Sequence, residues 1–183
     1  PAPPPPIVAA PPEPAGPSPI NANLSQAATV WHLRAALNVA ALACRAPGEA
    51  MLASQYNALL VRERTSFAVA QDGLAAEFRA GGGQWQDRYD HAMTRLYNFF
   101  SAAQAHDRFC AAAVQVMADT QALAPGTLPG GAASGLMVLD AASRDDAPPQ
   151  TPVRPVIAFA APAPVRPTPR PRLELDPSAL SGD

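Results

Sequence analysis

Lysine is absent from the 183-residue sequence, and acidic and basic residues together make up only 15% of it. An average domain carries about 25% charged residues. Thirteen basic residues, all of them arginine, are opposed by fifteen acidic ones, so the formal net charge is −2. A protein that binds nucleic acid through its phosphates needs a basic field, and this chain has none overall. The composition therefore excludes general nucleic-acid binding.

Long apolar runs and short cofactor motifs are missing as well. The most apolar window, residues 35–44, contains Asn38 and is about half as long as a membrane-spanning helix. Neither CxxC nor CxxCH occurs, and the glycines at 81–83 are not followed by the Lys and Ser or Thr of a phosphate-binding loop. We therefore expect no transmembrane segment and no bound cofactor.

Proline is scarce in the middle of the chain and abundant at both ends. Ten of the 23 prolines lie in residues 1–20 and the last twelve lie beyond residue 124, so Pro47 alone interrupts the stretch between. Proline ends helices and favours extended polyproline II structure. We expect four segments: an N-terminal arm (1–20), a helical body (21–124), a loop or linker (125–147) and a C-terminal arm (148–183).

Apolar residues in the body recur at helical spacing in three stretches. Asn23 or Ser25 can cap the first helix, which ends before Pro47. The second helix continues from there to the glycines at 81–83. The third, residues 84–123, would be about 60 Å long, so it either overhangs its neighbours or breaks once. The pattern predicts an all-α fold, an up-down-up three-helix bundle flanked by proline-rich extended arms.

Glycine weakens two parts of this pattern. Gly73 falls inside the second predicted helix, where glycine is unfavourable. Residues 125–135 are rich in glycine and proline and are interpreted as a loop. The apolar residues 136–139 that follow predict either a short strand or one helical turn packed on the bundle.

The two cysteines, Cys44 and Cys110, fall on the apolar faces of the first and third predicted helices. These helices would run parallel, which places both cysteines toward the same end of the bundle. We predict a disulfide between them, with a pair of buried free thiols as the alternative. His106 lies four residues before Cys110, so a His-Cys-Cys metal site without a fourth ligand is conceivable. Because paired zinc-type spacings are missing, we predict no metal site.

Asp87 and His91 are four residues apart on the third predicted helix, as an acid–imidazole pair for general-base chemistry would be. No nucleophile lies in an activating context near them. A solvated face with intrahelical ion pairs is the simpler interpretation. We therefore expect no catalytic residue and no enzymatic activity.

The C-terminal arm carries the clearest indication of function. Pro152–Pro155 and Pro164–Pro167 match PxxP, a spacing that fits aromatic-lined grooves of partner proteins, and residues 148–171 include no acidic residue. We assign partner binding to seven residues: Pro152, Pro155, Pro164, Arg166, Pro167, Arg170 and Arg172. Other protein subunits are the expected partners, and the arginines also suit peripheral contact with an anionic surface. A plain linker is the alternative.

Residues 29–120 resemble a family of small exported helical proteins of sphingomonad-type alphaproteobacteria. The segments that carry the resemblance are LNVAALAC (37–44), YNALL (56–60), DRYD (87–90), YNFF (97–100) and FC (109–110). The resemblance implies an envelope location and a cysteine pair, and it implies no activity.

The first residue is Pro1 and not methionine, so either a signal peptide has been removed or the chain has been trimmed. Together these observations favour an exported, periplasmic or envelope protein without enzymatic activity. Its disulfide-stapled bundle would be attached to a larger assembly through the proline-rich arms. The alternative is a periplasmic helical bundle that binds a small ligand or a metal near His106.

Overall fold

The computed structural model describes residues 16–103 and 106–144, and all regular structure in these two ranges is helical. The six α-helices are α1 (Gln26–Ala43), α2 (Leu52–Arg62), α3 (Arg64–Ala80), α4 (Trp85–Ser101), α5 (His106–Ala122) and α6 (Leu128–Ser143). Short 3₁₀ turns precede α1 at Pro19–Asn21 and α2 at Pro47–Glu49. The predicted all-α class is confirmed. Within the described ranges, no helix combines the length and the apolar character that crossing a membrane requires.

Helix α1 lies at the centre of the bundle. Ser25 caps its start, because the Ser25 hydroxyl accepts a hydrogen bond from the Ala28 N–H at 3.0 Å. Eleven of its 18 residues are buried, and residues 35–37 are buried in succession although they point to different sides of the helix. A helix that is apolar on all sides needs neighbours on all sides. Accordingly, α1 contacts all five other α-helices.

Two helices occupy residues 47–80, for which one helix was predicted. Between α2 and α3 the backbone leaves helical geometry at Glu63 (φ −102°, ψ 20°). The buried Glu63 carboxylate accepts hydrogen bonds from Arg62 Nε at 3.2 Å and Ser66 Oγ at 2.9 Å. The Gly126 N–H, between α5 and α6, lies 3.2 Å from both carboxylate oxygens. A buried charge needs such donors. Since they come from α2, α3 and the turn between α5 and α6, Glu63 joins these three parts of the fold.

The predicted third helix is also two helices, α4 and α5, which separate after Ser101. The predicted helix therefore breaks once. Each half is about 26 Å long, and Phe100 at the end of α4 stacks on Phe109 in α5 with ring centroids 6.0 Å apart, both side chains being buried. With six helices in the described ranges, the up-down-up three-helix arrangement is not confirmed.

Helix α6 occupies residues that were predicted to be a loop or linker. Its glycines allow close packing: a Cβ at Gly135 would lie 3.0 Å from Val116 Cγ1 and 3.3 Å from Leu33 Cδ1. Leu136 and Leu139 are buried against the rest of the bundle. The loop interpretation was wrong because these glycines let α6 approach α1 and α5, whereas in isolation glycine is read as a helix breaker.

The end of the predicted N-terminal arm belongs to the folded body. Residues 16–20 were assigned to an extended arm, but Ser18 is buried and Pro19–Asn21 forms a 3₁₀ turn. The polar side chains of Ser18 and Asn21 bind a buried carboxylate on α6. That distant partner, rather than local sequence, anchors these residues. Residues 1–15 and 145–183 lie outside the described residues.

Gly73 offers a test of the packing between α1 and α3. A Cβ at this position would lie 2.9 Å from Ala27 Cβ on α1, an atom held rigidly by its own backbone. We expect Gly73→Ala to lower the free energy of unfolding by about 1–3 kcal/mol, because the clash exceeds the gain in helix propensity. Gly130→Ala is the matched control, since nothing lies within 4 Å of its Cβ position in α6. It should leave stability unchanged or raise it by about 0.5 kcal/mol. Urea unfolding of both variants measures this, and a Gly73→Ala variant as stable as the unmodified chain would contradict it.

Candidate functional site

Cys44, directly after α1, and Cys110, in α5, form a disulfide with an S–S distance of 1.98 Å and a Cα–Cα distance of 5.6 Å. Both residues are buried. The link spans 66 residues, and the chain-entropy model gives such a cross-link a stabilisation of about 4 kcal/mol. It fastens the central helix to α5. The structure thus joins the two cysteines that the sequence analysis paired.

His106 lies beside this disulfide. Its Nε2 atom is 3.6 Å from Cys110 Sγ, and the nearest ligand atoms of His106, Cys44 and Cys110 all lie within 4.8 Å of one another. The three residues of the conceivable His-Cys-Cys site are therefore together. Zinc binds cysteine as thiolate, and a disulfide contains no thiolate. Metal binding here is consequently restricted to the reduced protein.

Asp87 and His91 are both exposed on α4, where they line an open surface depression together with Arg88 and Arg95. Arg88 donates hydrogen bonds to the carbonyl oxygens of Phe78, at 3.1 Å, and Gly82, at 2.6 Å. It thereby fastens the glycine turn between α3 and α4. This observed role is structural.

The partner-binding residues predicted in the C-terminal arm lie outside the described residues. They are Pro152, Pro155, Pro164, Arg166, Pro167, Arg170 and Arg172.

A buried polar chain that the sequence analysis did not identify connects α6 with α1. Its origin is the carboxylate of Asp140, which accepts hydrogen bonds from the Ser18 N–H at 2.9 Å and from the Ser18 hydroxyl. Asn21 Nδ2 donates to the same carboxylate at 2.6 Å. Arg144 Nε lies 3.4 Å from Asp140 Oδ2. These contacts compensate the carboxylate for its removal from water.

The chain continues from Asn21 to His32 on α1. Because the amide nitrogen of Asn21 faces Asp140, its Oδ1 atom faces His32 Nδ1 at 2.8 Å. An oxygen can only accept a hydrogen bond, so Nδ1 must carry the proton and Nε2 is the free acceptor of the ring. Burial lowers the pKa of His32 from 6.5 to about 4. At neutral pH the imidazole is therefore neutral, with a fixed tautomer.

His32 lines a cavity of about 340 Å³ that is bounded by residues 19–25, α1, α3 and α4. Apolar and polar groups both contribute to the cavity wall, and the neutral His32 is one of its polar residues. With a pKa near 4, it is a weak general base at neutral pH, which favours binding over catalysis at this position.

Sequence signals for this arrangement do exist, although they are faint. His32 lies between Trp31 and Leu33 in a helix whose other buried residues are apolar, and Asp140 follows directly on the apolar residues 136–139. A polar residue inside a buried apolar stretch requires a partner. The identity of that partner depends on which helices meet, and the sequence analysis did not place α6.

The buried imidazole makes stability dependent on pH. The unfolded chain binds a proton at His32 with a pKa near 6.5, whereas the folded chain does so near 4. The unfolded state thus holds more protons between these values, and the free energy of unfolding falls as pH is lowered from 6.5 to 4. We expect His32 to contribute about 3 kcal/mol to this loss. Urea unfolding between pH 7 and pH 4 should show it.

His32→Gln should lack this part of the loss, because glutamine can still donate to Asn21 but does not titrate. His91→Gln is the matched control at an exposed histidine and should keep it. Parallel stability–pH curves for the unmodified chain and His32→Gln would contradict the assignment.

Comparison with protein-family models, with curated proteins and with solved structures gives no match to this chain. We therefore infer its function from two arrangements of its own side chains. One is the set of contacts that Asp140 makes with Ser18, Asn21 and Arg144, and the other is the cavity at His32.

Proposed function

We propose that the chain is a non-enzymatic interaction subunit of the bacterial cell envelope. In this proposal a disulfide-stapled helical body holds two proline-rich arms, and the arms attach it to partner proteins in a larger assembly. The observation that carries the proposal is that residues 16–18, next to the N-terminal proline-rich segment, are bound to the end of α6, next to the C-terminal one. Arg144 Nη1 donates a hydrogen bond to the Gly16 carbonyl oxygen at 2.9 Å, and Asp140 binds Ser18.

The contact between Gly16 and Arg144 gives the arms a common base. Residues 1–15 continue the chain from Gly16, and residues 145–183 continue it from Arg144. When one of two segments that start from neighbouring points is bound, the other is held near its own binding site at a high effective concentration. This can raise avidity by about 10²–10⁴.

The composition of the arms suits this role. PxxP segments are recognised by aromatic-lined grooves, and polyproline chains lose little conformational entropy on binding. Pro155 and Pro167 each complete such a segment, and Arg166, Arg170 and Arg172 add positive charge. The same arginines would support a peripheral contact with an anionic surface once the protein is attached.

An oxidising compartment is consistent with the Cys44–Cys110 disulfide, because disulfides persist outside the cytoplasm. The resemblance of residues 29–120 to small exported proteins of sphingomonad-type alphaproteobacteria supports the same location. We accordingly place the protein in the periplasm or elsewhere in the envelope.

Substitutions within the C-terminal arm test this function. Pro152→Ala with Pro167→Ala removes one proline from every PxxP segment of the arm (149–152, 152–155 and 164–167), whereas Pro169→Ala with Pro177→Ala removes two prolines that belong to no such segment. We expect the first pair to reduce partner recovery by about tenfold or more, and the second pair to leave it unchanged. Cross-linking with mass spectrometry on intact envelopes measures the recovery.

A further variant separates protein partners from an anionic surface. Arg166→Ala with Arg170→Ala and Arg172→Ala should weaken association with anionic vesicles while PxxP-dependent cross-links remain. Equal recovery with both proline variants, or unchanged recovery with the first, would overturn the proposed function.

A further inference from the structure

The cavity at His32 is a feature of the folded body and is independent of the arms. Its volume of about 340 Å³ lies at the lower end of the range for small-molecule sites, about 300–1,000 Å³. Apolar and polar groups contribute equally to its wall, and the apolar side chains, Leu24, Leu74, Phe78 and Met93, come from the segment before α1 and from α3 and α4. These side chains favour a ligand with an apolar part.

His32 is a neutral polar residue in this wall. Asn21 occupies Nδ1 of His32, so Nε2 is the ring nitrogen that remains for a ligand. His32 is 93% buried, and Asp140 holds the orientation of the ring through Asn21 at 2.6 Å and 2.8 Å. An acceptor that is fixed in advance loses little freedom when a donor arrives. Nε2 thus selects for a hydroxyl or N–H group.

The charged side chains at the cavity do not favour a charged ligand. The Glu77 carboxylate already accepts a hydrogen bond from the Ser25 hydroxyl at 2.6 Å. Arg95 is exposed at the edge, where water screens its charge. Among the polar residues that line the cavity, His32 is the buried one, whereas Asn23, Ser25, Glu77 and Arg95 are exposed.

The segment before α1 that lines the cavity contains a left-handed residue, Asn23, with a φ of +55°. Asparagine adopts this conformation more readily than other non-glycine residues.

We propose that this cavity binds a small, neutral, mainly apolar molecule that carries a hydroxyl group, such as a phenol, with the hydroxyl donating to Nε2 of His32. The aromatic Phe78 and the thioether of Met93 provide favourable contacts for an aromatic ring. Trp31 Nε1 lies 3.2 Å from Met93 Sδ and holds that side chain in place.

Three fluorinated probes test the ligand class by ¹⁹F NMR titration of the full chain. 4-Fluorophenol has the hydroxyl donor, 4-fluoroanisole replaces its hydrogen with a methyl group, and fluorobenzene lacks the oxygen. We expect saturable binding of 4-fluorophenol below about 10 mM. Its Kd should be about tenfold lower than those of the other two probes, the value of roughly one hydrogen bond. The ¹⁵N resonance of His32 Nε2 should shift with 4-fluorophenol alone.

Substitutions locate the site. Ala92→Leu adds volume from the α4 side of the cavity and should weaken 4-fluorophenol binding about tenfold or more, whereas Ala76→Leu makes the same change at an exposed position of α3 and should not. His32→Gln should reduce the difference between the phenol and the anisole. If that variant does not fold, Ala92→Leu and the His32 resonance still decide the question.

Three results would overturn the proposal. They are no saturable binding of 4-fluorophenol up to 10 mM, equal affinity for all three probes, and equal loss of binding in Ala76→Leu and Ala92→Leu. Each of these leaves the arm-dependent function untouched, because the proline substitutions lie outside the cavity.

Discussion

The two inferred functions both depend on the contacts that the buried Asp140 carboxylate makes with its neighbours. A charge removed from water must be surrounded by donors, and breaking such a set is strongly destabilising. Asp140 accepts hydrogen bonds from Ser18 and Asn21 and forms an ion pair with Arg144. The bonds to Ser18 tie the segment before α1 to α6, and the bond to Asn21 fixes, through that residue, the tautomer of His32. The attachment of residues 16–18 and the polar group of the cavity therefore share one anchor.

The fold must also cover α1 on nearly all sides, because eleven of its 18 residues are buried. The two neighbours that a three-helix bundle provides are replaced by five. The fold meets this requirement by breaking two predicted helices and adding α6. Small residues make the arrangement possible: Gly73 lets α3 approach Ala27, and Gly135 lets α6 approach Leu33. The disulfide then fixes the end of α1 against α5.

Local signals predicted part of this structure correctly, because their causes are local. The Ser25 cap, the stop at Pro47 and the glycine turn at 81–83 follow from backbone chemistry within a few residues. The Cys44–Cys110 pairing required only two helices with the cysteines at the same end, a condition that survives the break in the third predicted helix.

What the sequence did not predict depends on long-range partners. Glycines in α6 were interpreted as loop residues because their packing partners, Val116 and Leu33, are distant in sequence. The kink at Glu63 uses a donor from Gly126, and the anchoring of Ser18 uses Asp140, 122 residues away. His32 went unnoticed for the same reason. A polar residue in a buried stretch indicates that a hydrogen-bond partner is needed, but only the fold determines which residue that partner is.

Asp140 fastens Ser18, before α1, and Arg144, directly after α6, to one point of the fold. Native-state amide hydrogen exchange of Ser18, measured by NMR, tests this attachment most directly, because the Ser18 N–H donates to Asp140 Oδ2 at 2.9 Å. The account predicts that this amide exchanges slowly, with an opening free energy close to that of amides in the middle of α1. Exchange of the Ser18 amide at the rate of an unstructured peptide, while α1 stays protected, would contradict it.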